Sequence, residues 1–258
     1  GANLYIKKNA FAQTIAVNLT SSLFSEDDSL ELEKIDIRDL RLSDDGQSFL
    51  VSIRAPEIPN ADDDEQPKWN IWHYYQPTET FERLIKDDII AAQGDDLMAS
   101  YLPDGRIVFA SNRQKLSKAI LLDEGKPQYQ GQNERSGSAV FNIHSMQADG
   151  TNIKQLSFNL SNEFYPLVLQ SGRILYSRWD AMGGVNKISL YDMLPDGTEN
   201  QLVFGWHSQS LNLDDQNIDV DLINPQQLSN GQLLFMLSSQ DEETYQKRPV
   251  IIDIDNFT

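Results

Sequence analysis

Three arginines are placed where they could act together. Arg54 and Arg113 occupy one position of a repeated phrase, and Arg178 lies two residues earlier in its own copy. A guanidinium offers a planar fork of donors. Arginines at repeat-related strand ends could therefore ring a channel mouth and hold a carboxylate or another anion bidentately. The same side chains could instead pair between neighbouring units with the chain's many aspartates. Arg178 is followed by Trp179 and Asp180, and Gly205-Trp206-His207-Ser208 leaves the same unit. Tryptophan can serve as a stacking platform, and His207 as a base or ligand. A lone histidine is more often structural, because a catalytic role needs geometry first. His73 and His144 belong to other units.

Other groups invite chemistry less strongly. Asp62, Asp63, Asp64 and Glu65 could offer oxygen ligands to calcium, but the spacing and glycine of a helix-loop-helix calcium site are missing. A solvated acidic loop is the plainer reading. Asp180, His207 and Ser208 supply the residue types of a hydrolytic triad. No Gly-x-Ser-x-Gly elbow or α/β pattern accompanies them, and a triad is defined by geometry. Asp149 with Thr151, and Asp196 with Thr198, read as turn residues that cap local backbone groups. The strand carrying Trp69, Trp72, Tyr74 and Tyr75 reads as packing rather than as a ligand platform.

The elements that must position these residues come from the repeat itself. The phrases are RLSDDGQSFLVSIR (41–54), YLPDGRIVFASNR (101–113), LVLQSGRILYSRWD (167–180) and QQLSNGQLLFMLSS (226–239). Each is an apolar approach, a turn centred on Gly46, Gly105, Gly172 or Gly231, and a second apolar run. Four residues past each glycine stand Leu50, Phe109, Tyr176 and Phe235. After each of the first three phrases come two further β-rich runs joined by a turn signal: Gln76-Pro77, Asp149-Gly150 and Asp196-Gly197. Asp-Gly between alternating runs predicts a two-residue type I′ hairpin. Units of four antiparallel strands that cannot bury both faces alone predict an all-β fold, a β-propeller of about four to six blades. The predicted blades span roughly 36–88, 95–160, 162–208 and 218–258, in one propeller domain or an incomplete ring. Residues 1–25 supply part of a further blade. Residues 55–68, 114–138 and 206–217 read as loop excursions, and 87–93 as the best short helix.

Composition narrows function. The chain has 258 residues, with 21 basic and 39 acidic residues giving a net charge of −18. That balance opposes nucleic-acid backbones and anionic membrane surfaces. There is no cysteine, hence no disulfide, thiolate site or covalent c-type haem within these residues. No apolar run approaches a membrane-spanning length. Both ends read as cuts through strands of a longer protein.

The repeat resembles the TolB-type, WD-like propeller repeat of exported bacterial proteins. ADGTNIKQLSFNLSNEFYPLVLQSGRILYSRWD (148–180) and YLPDGRIVFASNR (101–113) carry the resemblance, which covers roughly 36–240. The order of YLPDGRIVFASNR, NEFYPLVLQSGRILYSRWD and QLVFGWHS is also similar to the propeller region of proteins related to the hydrazine synthase alpha subunit. The resemblance implies a periplasmic or otherwise extracytoplasmic location. It carries over no haem site, because Cys-x-x-Cys-His is absent. The expectation is a non-catalytic binding or scaffold propeller. Its partner would be a protein, a peptide or a small ligand in the channel or rim, and any lipid anchor would lie outside this segment. No cofactor is expected beyond calcium at the acidic run. The alternative is the propeller domain of a larger redox enzyme whose cofactor sits in another domain.

Overall fold

A computed structural model describes residues 2–11, 13–21, 23–24, 35–63, 65–113, 122–125, 131–132, 137–180, 186–205, 210–213, 216–239 and 248–252. The chain is all-β. Its four-stranded antiparallel sheets are blades of the β-propeller class, each ordered along the chain. Two compact units are present, residues 1–99 and 100–258.

In the first unit β1 (Tyr5–Ile6) pairs with β2 (Val17–Asn18) as a small hairpin. The first sheet is β3 (Asp36–Leu42), β4 (Ser48–Arg54), β5 (Asn70–Tyr75) and β6 (Thr80–Arg83). Phe49, Val51, Ile53 and Tyr74 form a buried cluster on one face of that sheet. Leu4, Ile6 and Leu19 of the hairpin pack against it. The expected short helix is α1 (Asp88–Ala91). The Asp87 carboxylate caps it by accepting from the Ile89 and Ile90 N–H groups.

The second sheet is β7 (Asp96–Tyr101), β8 (Ile107–Ser111), β9 (Asn142–Met146) and β10 (Lys154–Gln155). The third is β11 (Glu163–Val168), β12 (Ile174–Asp180), β13 (Lys187–Met193) and β14 (Gln201–Phe204). The fourth is β15 (Ser210–Leu213), β16 (Gln216–Gln227), β17 (Leu233–Ser239) and β18 (Arg248–Ile252).

Period-2 alternation turns every second side chain of a strand toward a seam between sheets. Val108, Ile143, Ile174, Tyr176 and Met193 pack between the second and third sheets. Leu167, Leu175, Leu190, Leu222, Leu233 and Phe235 pack between the third and fourth. The four residues that follow the turn glycines by four, Leu50, Phe109, Tyr176 and Phe235, are all fully buried.

Two expectations change. Asp149-Gly150 and Asp196-Gly197 do not form type I′ turns, because only the glycines have positive φ. In the second of these, Gly197 N–H donates to Leu194 O, and Leu194 N–H to Thr198 O. This is the three-residue loop in which a type I turn ends in a left-handed glycine. The four repeat glycines close their turns through the same left-handed conformation. The Asp196 carboxylate accepts from Thr198 N–H at 2.9 Å and from its hydroxyl at 2.6 Å, which satisfies the turn locally. The second change concerns residues 206–217, read as a loop. They contain β15, which pairs with the start of β16 ahead of the repeated phrase. The repeat's first strand is therefore second in the fourth sheet.

Candidate functional site

The arginines expected at a shared site are each tied down within their own sheet. Arg54 lies directly across from Asp36 and donates to its carboxylate at 2.5 Å and to Glu57 at 3.1 Å. Its guanidinium also stands 5.4 Å from the centre of the Trp69 ring, while Arg38 lies 4.4 Å from the same ring. Arg113 is only 4% exposed. Its Nε donates to Ser111 Oγ at 3.3 Å. Arg178 Nε donates to Asp180 at 2.9 Å, and the guanidinium covers Tyr191 at 4.8 Å. Trp179 Nε1 donates to Asn186 Oδ1 at 2.8 Å. Arg178 and Asp180 are thus brought together, and the pairing found for Arg54 and Arg178 is within a sheet rather than between blades.

Trp206, His207 and Asp64 lie outside the described residues. Asp62, Asp63 and Glu65 are exposed, and Glu65 N–H closes a local turn onto Asp62 O. Among the described residues, no group of three or more His, Asp or Glu side chains is gathered as a metal site.

Among the described residues, a dense buried polar cluster was missed by the sequence reading. It lies at one end of the seam between the second and third sheets. Glu163 opens β11 and is 1% exposed. Its N–H donates to Phe141 O at 2.8 Å, and Phe141 N–H donates to Asn162 Oδ1 at 2.9 Å. Ser157 Oγ accepts the Ile143 N–H at 2.8 Å and hydrogen-bonds Glu163 Oε2. Asn142 Nδ2 approaches the same oxygen at 3.4 Å. Glu163 Oε1 is buried with no hydrogen-bond partner, and so is Gln155 Oε1. The Gln155 amide is oriented by donating to Ser157 O at 2.9 Å, so a flip would set two oxygens against each other. Burial pushes the Glu163 carboxyl up to about 7, against the opposing effects of the Ser157 hydrogen bond and the Arg178 charge. On β9, burial pushes His144 down to about 4, which keeps the imidazole neutral.

A second missed feature recurs in every sheet. Seven residues before each turn glycine stands a residue with left-handed backbone: Asp39, Met98, Tyr165 and Asn224, with φ between 52° and 60°. The strand register shifts around Asp39, Tyr165 and Asn224, as a β-bulge requires. Aspartate and asparagine enter this region at modest cost; methionine and tyrosine do so only under constraint. Within the first unit, Met98 N–H bonds the Asp39 carboxylate, whose pKa is raised by burial.

The first unit also contains a cavity of about 220 Å³. Phe24, Ile53, Pro67 and Trp72 supply apolar walls, and Phe24 meets Trp72 edge-on at 5.9 Å. Lys68 and Arg83 bring positive charge to it and Asp88 one negative charge. Arg83 is fixed by donating to the Ile85 and Lys86 carbonyls and to Asp88.

Counting nine residues back from the turn glycines aligns Asp96 with Glu163, both buried, against Ile37 and Leu222. Extending the repeat register backwards would have exposed that pair of acids. The left-handed positions leave no such trace, because Met98 and Tyr165 are poor markers of positive φ.

No protein-family model matches the chain, and no curated protein matches it. Solved structures do resemble it. TolB from Acinetobacter baumannii matches at 12% identity and a TM-score of 0.43, over 84% of this chain and 43% of that one. A putative TolB from Agrobacterium tumefaciens matches at 16% identity and a TM-score of 0.43, over 63% and 47%. Hydrazine synthase from Kuenenia stuttgartiensis matches at 15% identity and a TM-score of 0.49, over 81% and 26%. The chain thus spans less than half the length of each of these three. The likeness is one of fold: this chain is similar to TolB-like β-propellers and to the propeller of hydrazine synthase.

Proposed function

We propose that this chain is a non-catalytic binding module, a propeller that holds a partner of an exported bacterial protein. The supporting observation is the cavity of the first unit. Arg54, Arg113, Arg178 and Asp180 are engaged in the chain's own structure. The cavity of the first unit has apolar walls, with Lys68 and the Asp88-paired Arg83 at its lining, a net positive balance. Its size and chemistry fit one aromatic or branched apolar group carrying a negative charge, as on a partner's side chain or a small carboxylic acid. Residence outside the cytoplasm belongs to the same proposal and rests on the resemblance of the repeat. Among the described residues, no helix is long and apolar enough to cross a membrane.

The test is a titration of the labelled protein with phenylacetate, followed through the amide resonances of Lys68, Asn70 and Trp72. Saturable shifts with a Kd of about 1 mM are expected for a ligand of this size. Ala55→Phe, which narrows the cavity, should weaken them at least tenfold. Shifts that never saturate, or that survive Ala55→Phe unchanged, would remove the cavity from consideration. Capture of a periplasmic protein by the immobilised chain, lost with the same variant, would identify the partner.

A further inference from the structure

The buried acid at the seam of the second and third sheets has no role in that binding reading. We propose that Glu163 is a proton-binding site that latches these two sheets together, tight when the carboxyl is neutral and loosened when it ionises. Three observations carry it. First, Glu163 belongs to β11, while the groups that hold it, Asn142 and Ser157, come from β9 and from the segment after β10. The carboxyl therefore spans the seam. Second, Oε1 has no donor and no access to water. An ionised carboxylate would leave a lone pair-rich oxygen unsolvated, which is far costlier than leaving a neutral carbonyl there. Third, the cation that acts on it is already engaged. Arg178 stands across from Glu163 on β12 but gives its Nε to Asp180 and stacks on Tyr191.

The proton resides on Oε2, from which a neutral carboxyl can donate to Ser157 Oγ. On ionisation the hydroxyl donates to Oε2 instead, so the contact persists while a buried charge appears. The Arg178 charge and the Ser157 and Asn142 hydrogen bonds offset that charge only in part, because burial outweighs them. From β12 and β13 the surrounding groups are Arg178, Tyr176, Asp180 and Tyr191. The Glu163 charge itself pushes the tyrosines further from ionisation. On the second sheet His144, neutral through burial, stands two residues beyond Asn142 on β9, with the buried Arg113 beside it.

The sign follows from linkage. The folded state holds this proton more tightly than the unfolded chain, whose glutamate titrates near 4.3. The latch therefore contributes most below that value and weakens as pH rises to about 7. His144 works in the opposite direction over an overlapping range, so the difference between the protein and Glu163→Gln isolates the effect. The unfolding equilibrium constant of the unmodified protein, divided by that of Glu163→Gln, should rise by about tenfold per pH unit from about 5 to 7 and then level off. A flat ratio overturns the proposal. Should the variant not fold, carbon NMR of the side-chain carboxyls in the unmodified protein decides alone. A Glu163 midpoint near 7 supports the latch, and one between 4 and 5 overturns it. Protection of the Glu163 and Phe141 amides against exchange should fall over the same pH range, locating the loosening at the seam.

Discussion

The two seams of the second unit are built on the same backbone and filled with opposite chemistry. Nine residues before the turn glycine, the third sheet has Glu163 and the fourth has Leu222, and both are buried. Leu222 sits among Leu167, Leu190 and Phe235 in an apolar cluster, where Ser177 Oγ donates to its carbonyl at 3.1 Å. Glu163 sits among Asn142, Gln155 and Ser157, with two acceptor oxygens left over. An apolar residue at this position is what packing alone would select. A carboxyl there costs stability, and the repeat tolerates it because the apolar part of the seam, from Val108 to Met193, is intact beside it. The repeat thus prescribes where a side chain is buried and leaves open what that side chain does.

The largest effect is expected where the apolar seam loses its biggest member. Phe235→Ala should cost about 3–5 kcal/mol in chemical denaturation, since it empties a fully buried site. A cost below about 1 kcal/mol would mean that the third and fourth sheets do not depend on that contact.

Exchanging the chemistry of the two seams sharpens the contrast. Leu222→Glu should destabilise by about 3 kcal/mol or more at pH 8 and by clearly less at pH 5, where a buried carboxyl is neutral. Equal losses at the two pH values would show that the fourth-sheet site is wet. Gly197→Ala tests a turn that abuts the second sheet. The glycine has φ of +88°, and an added Cβ would lie 2.5 Å from Leu156 O. The expected loss is about 2–4 kcal/mol, from left-handed strain plus displacement of that carbonyl. The smallest effect concerns the left-handed positions. Asn224→Ala should cost about 1 kcal/mol, whereas Asn224→Gly should stay within about 0.5 kcal/mol, because only alanine resists positive φ. Equal costs for the two would mean that the side chain of Asn224, not its backbone, is what counts.

Much of the fold was legible. The turn glycines and the residues four beyond them, Leu50 through Phe235, marked the strand register and the core correctly. The opening segment was legible as β-rich, and it forms a hairpin whose Leu4, Ile6 and Leu19 pack on the first sheet. β15 was not, since Ser210–Leu213 lies in a run of serine, asparagine and aspartate that reads as loop. The candidate sites were less legible. Arg54, Arg113 and Arg178 looked alike along the chain, yet one is ion-paired and half-buried, one is buried, and one is stacked on a tyrosine. Glu163 looked like an ordinary polar residue at a strand start.

The residue order alone determined that this chain forms four-stranded units, since a glycine with positive φ at a constant offset from apolar runs dictates each hairpin locally. Only the tertiary structure decided which charges are used up, which backbone positions are held left-handed, and which acid is dry. Those properties depend on what a neighbouring sheet presses against a residue, and solvation is lost or kept through that long-range contact rather than through the residue's own type.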